Sequence, residues 1–155
     1  MSIDTLDDVL CEDVEREQRE LEEFVLRVRE MFHQEHAAAA ACANRLIDTL
    51  DELREHLGML FALKEQGGYL DEAIVSAPQL RDVATSLKQQ HHALFVALGR
   101  LIDQCENDFD RRRWRDLWQL DEMTFENFCE QFRAHQAREA ELVQRAVSDD
   151  VGTGD

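Results

Sequence analysis

Between Phe125 and Ala146 the chain reads FENFCEQFRAHQAREAELVQRA. Every third or fourth residue gives Phe125, Phe128, Phe132, His135, Glu139, Leu142 and Ala146. That alternation is the face by which a helix packs into a bundle. Two of these positions, His135 and Glu139, are ionisable. A carboxylate on a core face is costly to desolvate, so Glu139 requires a cation beside it: a metal ion, an ammonium group or a proton. What stands opposite Glu139 therefore decides the chemistry of the chain.

Three further faces with the same spacing supply the neighbours. No proline and a single glycine occur from Ile3 to Gln66, so periodicity alone marks the helices there. Val14, Gln18, Leu21, Val25, Val28 and Phe32 predict a first helix from about Asp4 or Asp13 to Phe32, and HQEHAAAAA, which loses the pattern, predicts the first turn. Leu46, Leu50, Leu53, Leu57, Leu60 and Lys64 predict a second helix that stops at Gly67 and Gly68. YLDEAIVSA reads as a connection with one helical turn, and Pro78 suits the first turn of the next helix. Leu80, Ala84, Leu87, His91, Leu94, Leu98, Leu101 and Cys105 form the third face, with a connection expected over Glu106 to Asp110. The fourth helix is expected to end near Val147, before a poorly ordered polar tail from about residue 148.

One proline and six glycines among many Leu, Ala, Glu, Arg and Gln residues make the class all-α. Four amphipathic helices with short connections predict an antiparallel up-down-up-down four-helix bundle, a single domain over residues 1–155. Each face then has a polar residue about halfway along: Gln18, Lys64, His91, and His135 with Glu139. If they fall at one level, they meet in the core.

The net charge of −17 disfavours nucleic acid and anionic membrane and favours solubility or a basic partner. Cys11, Cys42, Cys105 and Cys129 form no C-x-x-C and read as reduced packing thiols. The acidic N-terminal stretch has no apolar run long enough for a signal sequence or a membrane span, which points to the cytoplasm.

HQARE with His135 and Glu139, QQHHALF with His91, EQREL around Gln18, KEQGGYLDEA and the terminal VGTGD together resemble the hemerythrin-like, or HHE cation-binding, family. The Gly-Gly-Tyr-Leu segment is similar to that of one bacterial subgroup. The resemblance covers most of the chain apart from roughly 33–45 and 106–121. It implies a four-helix bundle holding two metal ions for oxygen binding or sensing. Its ligands are a first-helix histidine, an H-x-x-x-E on the second helix, third-helix histidine and an H-x-x-x-E on the fourth. His91, His135 and Glu139 match this set, whereas Gln18, Leu60 and Lys64 stand where three ligands, one of them a bridging carboxylate, would be.

Those substitutions change what the site can hold. One carboxylate and two imidazoles beside an ammonium argue against a di-iron centre, since like charge disfavours the metals. Lys64 stands where a glutamate would face Glu139, so its ammonium is expected to occupy the vacated cation position. The first reading is a hemerythrin-like protein with a degenerate metal site, not an enzyme. The alternative is one iron or zinc ion held by His91, His135 and Glu139 for sensing, storage or reaction with oxygen. A redox enzyme ranks below both, because no further acid or base can be named. The degenerate reading is favoured because buried polar groups find partners with or without a metal.

Other candidates are weaker. Glu52 and His56 are spaced as E-x-x-x-H but are expected on a solvated face. Glu30 and His33 form a lone E-x-x-H, with His36 nearby in the turn, and His92 should point away from the core. Arg111, Arg112, Arg113 and Arg115 surround Trp114 and Trp118, the one basic and aromatic cluster of the chain. That cluster reads either as a surface for a protein partner or self-association, or as indoles capping the core with arginines neutralising nearby acids. The second is favoured.

Overall fold

The computed structural model describes residues 3–34, 39–68 and 70–153. Four long helices carry the chain: α1 (Ile3–His33), α2 (Ala39–Gln66), α4 (Arg81–Asp110) and α6 (Glu122–Thr153). Short pieces join them: α3 (Asp71–Ser76), a 3₁₀ turn at Pro78–Leu80, the single turn α5 (Trp114–Asp116) and a π-helical turn at Leu117–Asp121. The all-α class expected from the composition is what forms, with no strand among the described residues. No helix of the described residues is long and apolar enough to cross a membrane.

The helix ends follow the local chemistry. At the end of α2, Gly67 N–H donates to the Leu63 carbonyl at 3.0 Å, and Gly68 adopts φ +70°, a left-handed conformation that glycine takes without penalty. Ala77 and Pro78 then start the 3₁₀ turn that leads into α4.

Two expected boundaries are wrong. Residues 106–110 are not a connection, because α4 continues through them and stops at Asp110. The turn is made one step later, where Arg112 has φ +55° and Arg113 N–H donates to the Asp108 carbonyl at 2.8 Å. α6 likewise runs on to Thr153 rather than ending near Val147. Neither 106–110 nor 148–151 contains proline or glycine, so polarity alone did not break either helix. Of the first turn expected over residues 33–41, His33 closes α1 and Ala39–Ala41 open α2, while 35–38, His36 among them, lie outside the described residues.

The periodic faces turn inward as expected, and two apolar clusters result. The larger includes Val14, Leu21, Val28 and Phe32 of α1, Leu46 to Phe61 of α2, Leu94 to Cys105 of α4, and Phe125, Phe128 and Phe132 of α6. The smaller joins Leu70, Ala77, Leu80, Ala84 and Leu87 to Leu142 and Ala146. Four buried polar residues lie in sequence between the two clusters: Lys64 of α2, His91 of α4, and His135 with Glu139 of α6. A polar layer therefore crosses the core.

Candidate functional site

The last turn of α2 supplies Lys64, the first half of α4 supplies His91, and α6 supplies His135 and Glu139 one turn apart. All are buried, with exposures of 4%, 2%, 1% and 1% in that order, so water contributes little to balancing their charges. Lys64 Nζ donates to Glu139 Oε2 at 3.1 Å. On the other side of the carboxylate, His91 Nε2 lies 3.3 Å from Oε1, and His135 Nε2 also contacts Oε1. Both carboxylate oxygens are thus engaged. The ammonium expected opposite Glu139 is there.

Outer contacts orient the two rings. His91 Nδ1 lies 3.1 Å from Glu65 Oε1, and His135 Nδ1 donates to Gln90 Oε1 at 2.8 Å. Phe61 stacks on His91 with ring centroids 4.2 Å apart and planes 9° from parallel, and meets His135 edge-on at 6.0 Å. Each Nε2 is thereby turned toward Glu139. Burial acts to push the Glu139 carboxyl up, but the contacts of His135 and His91 and the charges of Lys64 and His135 outweigh it. Its titration is held well below the usual carboxylate range.

His91, His135 and Glu139 each offer one donor atom within 4.8 Å of the others, and this group could hold a metal ion. A ligating histidine usually gives its second nitrogen to an acceptor, as both do here. A dinuclear centre does not fit: a single carboxylate is present, and a lysine ammonium lies 3.1 Å from it. No family model, curated protein or solved structure matches this chain. The side chains themselves are then the guide to what the site does.

None of the remaining candidates among the described residues is hydrogen-bonded to Glu139 or to its two histidines. Gln18 is half-buried and lines a surface hollow with Glu15, Arg19 and Glu22. Leu60 is fully buried and apolar. His33 is exposed and 3.1 Å from Glu122 Oε1, Glu30 is exposed, and His92 is exposed as expected. Trp118 is buried with its ring edge-on to Phe32 at 6.1 Å, and Trp114 is half-buried against Phe109 at 5.6 Å, so both indoles close the end of the core. The arginines around them are exposed.

His56 corrects an expectation. It does not sit on a solvated face with Glu52, which is exposed. It is half-buried against α1, with its ring 4.7 Å from that of Phe24. Its Nδ1 lies 2.5 Å from Glu17 Oε1 and 3.8 Å from Glu20 Oε2.

A second buried polar pair escaped sequence reasoning. Asp108 of α4 and Asp121 of the π turn are 1% and 2% exposed, and Gln104 Nε2 donates to Asp108 Oδ1 at 3.0 Å. Burial first, and then the adjacent Asp108 carboxyl, push Asp121 up to about 8. Burial and the same carboxyls also push the Cys105 thiol up. At neutral pH Asp121 therefore holds a proton. The spacing did carry a signal: Asp108 follows Cys105 by three, and Asp121 precedes Phe125 by four, so each face extends onto a carboxyl by one more step.

Proposed function

We propose that this chain is a hemerythrin-like up-down-up-down bundle in which a buried ion cluster stands where such bundles hold metal. On this reading it is a non-enzymatic protein that acts through its surface. The observation that carries the reading is the Lys64 ammonium, 4% exposed and 3.1 Å from Glu139 Oε2. It supplies the positive charge that a buried carboxylate needs, at the position from which a ligand would face the metal. The topology is supported by two contacts that set the end of α1 against the start of α6: Arg29 Nε donates to Glu126 Oε1 at 2.7 Å, and Phe32 lies on Phe125 at 5.7 Å.

The pair need not add net stability, because both charges were solvated in the unfolded chain, but stranding one partner is costly. Lys64→Met is expected to cost about 3–5 kcal/mol of unfolding free energy for that reason. Glu139→Gln should also destabilise, and the double variant should lose clearly less than the sum of the two. A double-mutant cycle by urea unfolding in chelator-treated buffer measures this. Additive losses would contradict the pairing.

A second reading keeps one metal ion on His91, His135 and Glu139. It is favoured by the Nδ1 contacts to Glu65 and Gln90, which leave both Nε2 atoms aimed at one point. For this reading to hold, Lys64 must leave Oε2. The ion would supply Lewis acidity or redox chemistry there, while the chain's own part is to orient the two imidazoles and keep water out.

A further inference from the structure

The chain has a second group of imidazole and carboxylates, on the flank of the bundle where α1 meets α2. Glu17 and Glu20 stand three apart on one face of α1, and His56 of α2 points its Nδ1 between them. The three donor atoms lie within 4.8 Å of one another. We propose that Glu17, Glu20 and His56 form a binding site for one divalent transition-metal ion of the zinc type.

Zinc bonds to histidine nitrogen and carboxylate oxygen at about 2.0–2.2 Å, which puts neighbouring donors of a tetrahedron roughly 3.3 Å apart. The separations from Nδ1 to the two carboxylates, 2.5 and 3.8 Å, bracket that edge, so small side-chain shifts suffice. The Phe24 ring 4.7 Å from His56, tilted by 30°, restricts the imidazole's rotation. The Glu17 side chain is only 13% exposed, whereas His56 and Glu20 at 29% and 46% leave a side open for water to complete the coordination.

Charge points the same way. At the bundle centre an ammonium already neutralises the carboxylate. On the flank, His56 is the one basic side chain paired with Glu17 or Glu20 among the described residues. Two carboxylates facing one imidazole leave a net negative site whether or not the ring is protonated, because a protonated ring neutralises only half of their charge. The −17 charge of the whole chain raises the local concentration of any divalent cation. The ion would tie α1 to α2 across their contact, and by linkage it would stabilise the folded chain by an amount that grows with the logarithm of its concentration over its dissociation constant. This inference stands apart from the function proposed above, since it needs nothing of Lys64.

The test is titration of the metal-free full chain with zinc chloride by calorimetry, with the thermal midpoint followed in parallel. The expected result is one Zn²⁺ per chain and a raised midpoint. His56→Ala, and separately the milder Glu20→Gln at a half-exposed position, should each weaken binding by more than about tenfold, as loss of even an outer-shell partner costs ~10–100-fold. His135→Ala, checked for folding by circular dichroism, should bind as the wild type does. Three results would overturn the proposal: no zinc bound by the wild type, binding unchanged in both flank variants, or binding lost in His135→Ala alone. The last would also place the ion at the bundle centre and overturn the ion-cluster reading, so the two failures are distinguishable.

Discussion

Glu139 and Asp121 are both carboxyls in an apolar core, and their surroundings drive them to opposite charge states. Lys64 and two imidazoles keep Glu139 ionised, whereas Asp121, beside Asp108, keeps its proton up to about pH 8. Their pH signatures are therefore opposite. The depressed Glu139 contributes stability above the ordinary carboxylate range, and that contribution is lost as pH falls through and below it. The raised Asp121 contributes stability that is complete below its unfolded value near 3.8 and is lost as pH rises through about 8. Asp121→Asn is thus expected to flatten the decline in thermal midpoint between roughly pH 5 and pH 9. Thermal scans of both proteins across that range check this; parallel curves would show that Asp121 does not titrate there. The same rule of spacing covers both carboxyls, but only Glu139 was read from it, because its face continues through Phe132 on one side and Leu142 on the other; Asp121 was missed, and Asp108 sits among Glu106, Asn107 and Asp110 and looked like part of a polar connection. His56 was misread for a related reason: its contacts to Glu17 and Glu20 of α1 are polar, and periodicity does not register polar contacts at the edge of an apolar face.

At the scale of the element, ends decide more than interiors. α2 has to stop just after Lys64, because the ammonium must meet Glu139 while the chain turns away toward α3. Gly68 makes that stop with φ +70°. A methyl group there would meet little, the nearest atom being Asp71 Cβ at 3.9 Å, so the penalty of a side chain is conformational rather than steric. Gly68→Ala should cost about 1–2 kcal/mol, the left-handed penalty. Urea unfolding measures it, and an unchanged midpoint would mean that the cap shifts without cost. The helix start near Pro78 and the glycine-marked stop of α2 were legible in the sequence, as were the inward faces. The ends of α4 and α6 were not, since a run of Glu, Asp, Asn and Ser disfavours a helix only weakly while its neighbours remain packed. The π turn at Leu117–Asp121 had no sequence signal at all, although it turns both Leu117 and Asp121 into the core.

Across the whole molecule, the polar layer divides one apolar core into two, and at its centre Lys64 meets Glu139. The sequence was sufficient to bring Lys64, His91, His135 and Glu139 to one level, because periodicity fixes which residues face inward and helix length fixes how far along they lie. Gln18 failed to join them, and periodicity on α1 could not reveal that, since the residue sits at the margin of a face whose helix leans more on α2 than on α6. The most direct test is metal content at the bundle centre, measured by elemental mass spectrometry on untagged His56→Ala protein from cells grown with added iron and zinc. That background removes the flank group from the measurement. With Lys64 paired to Glu139, less than about a tenth of an equivalent of metal per chain is expected, the level of a protein in which no structural site holds an ion. One equivalent, lost again on adding His135→Ala, would contradict the pairing and would make Lys64 a bystander to a working metal centre.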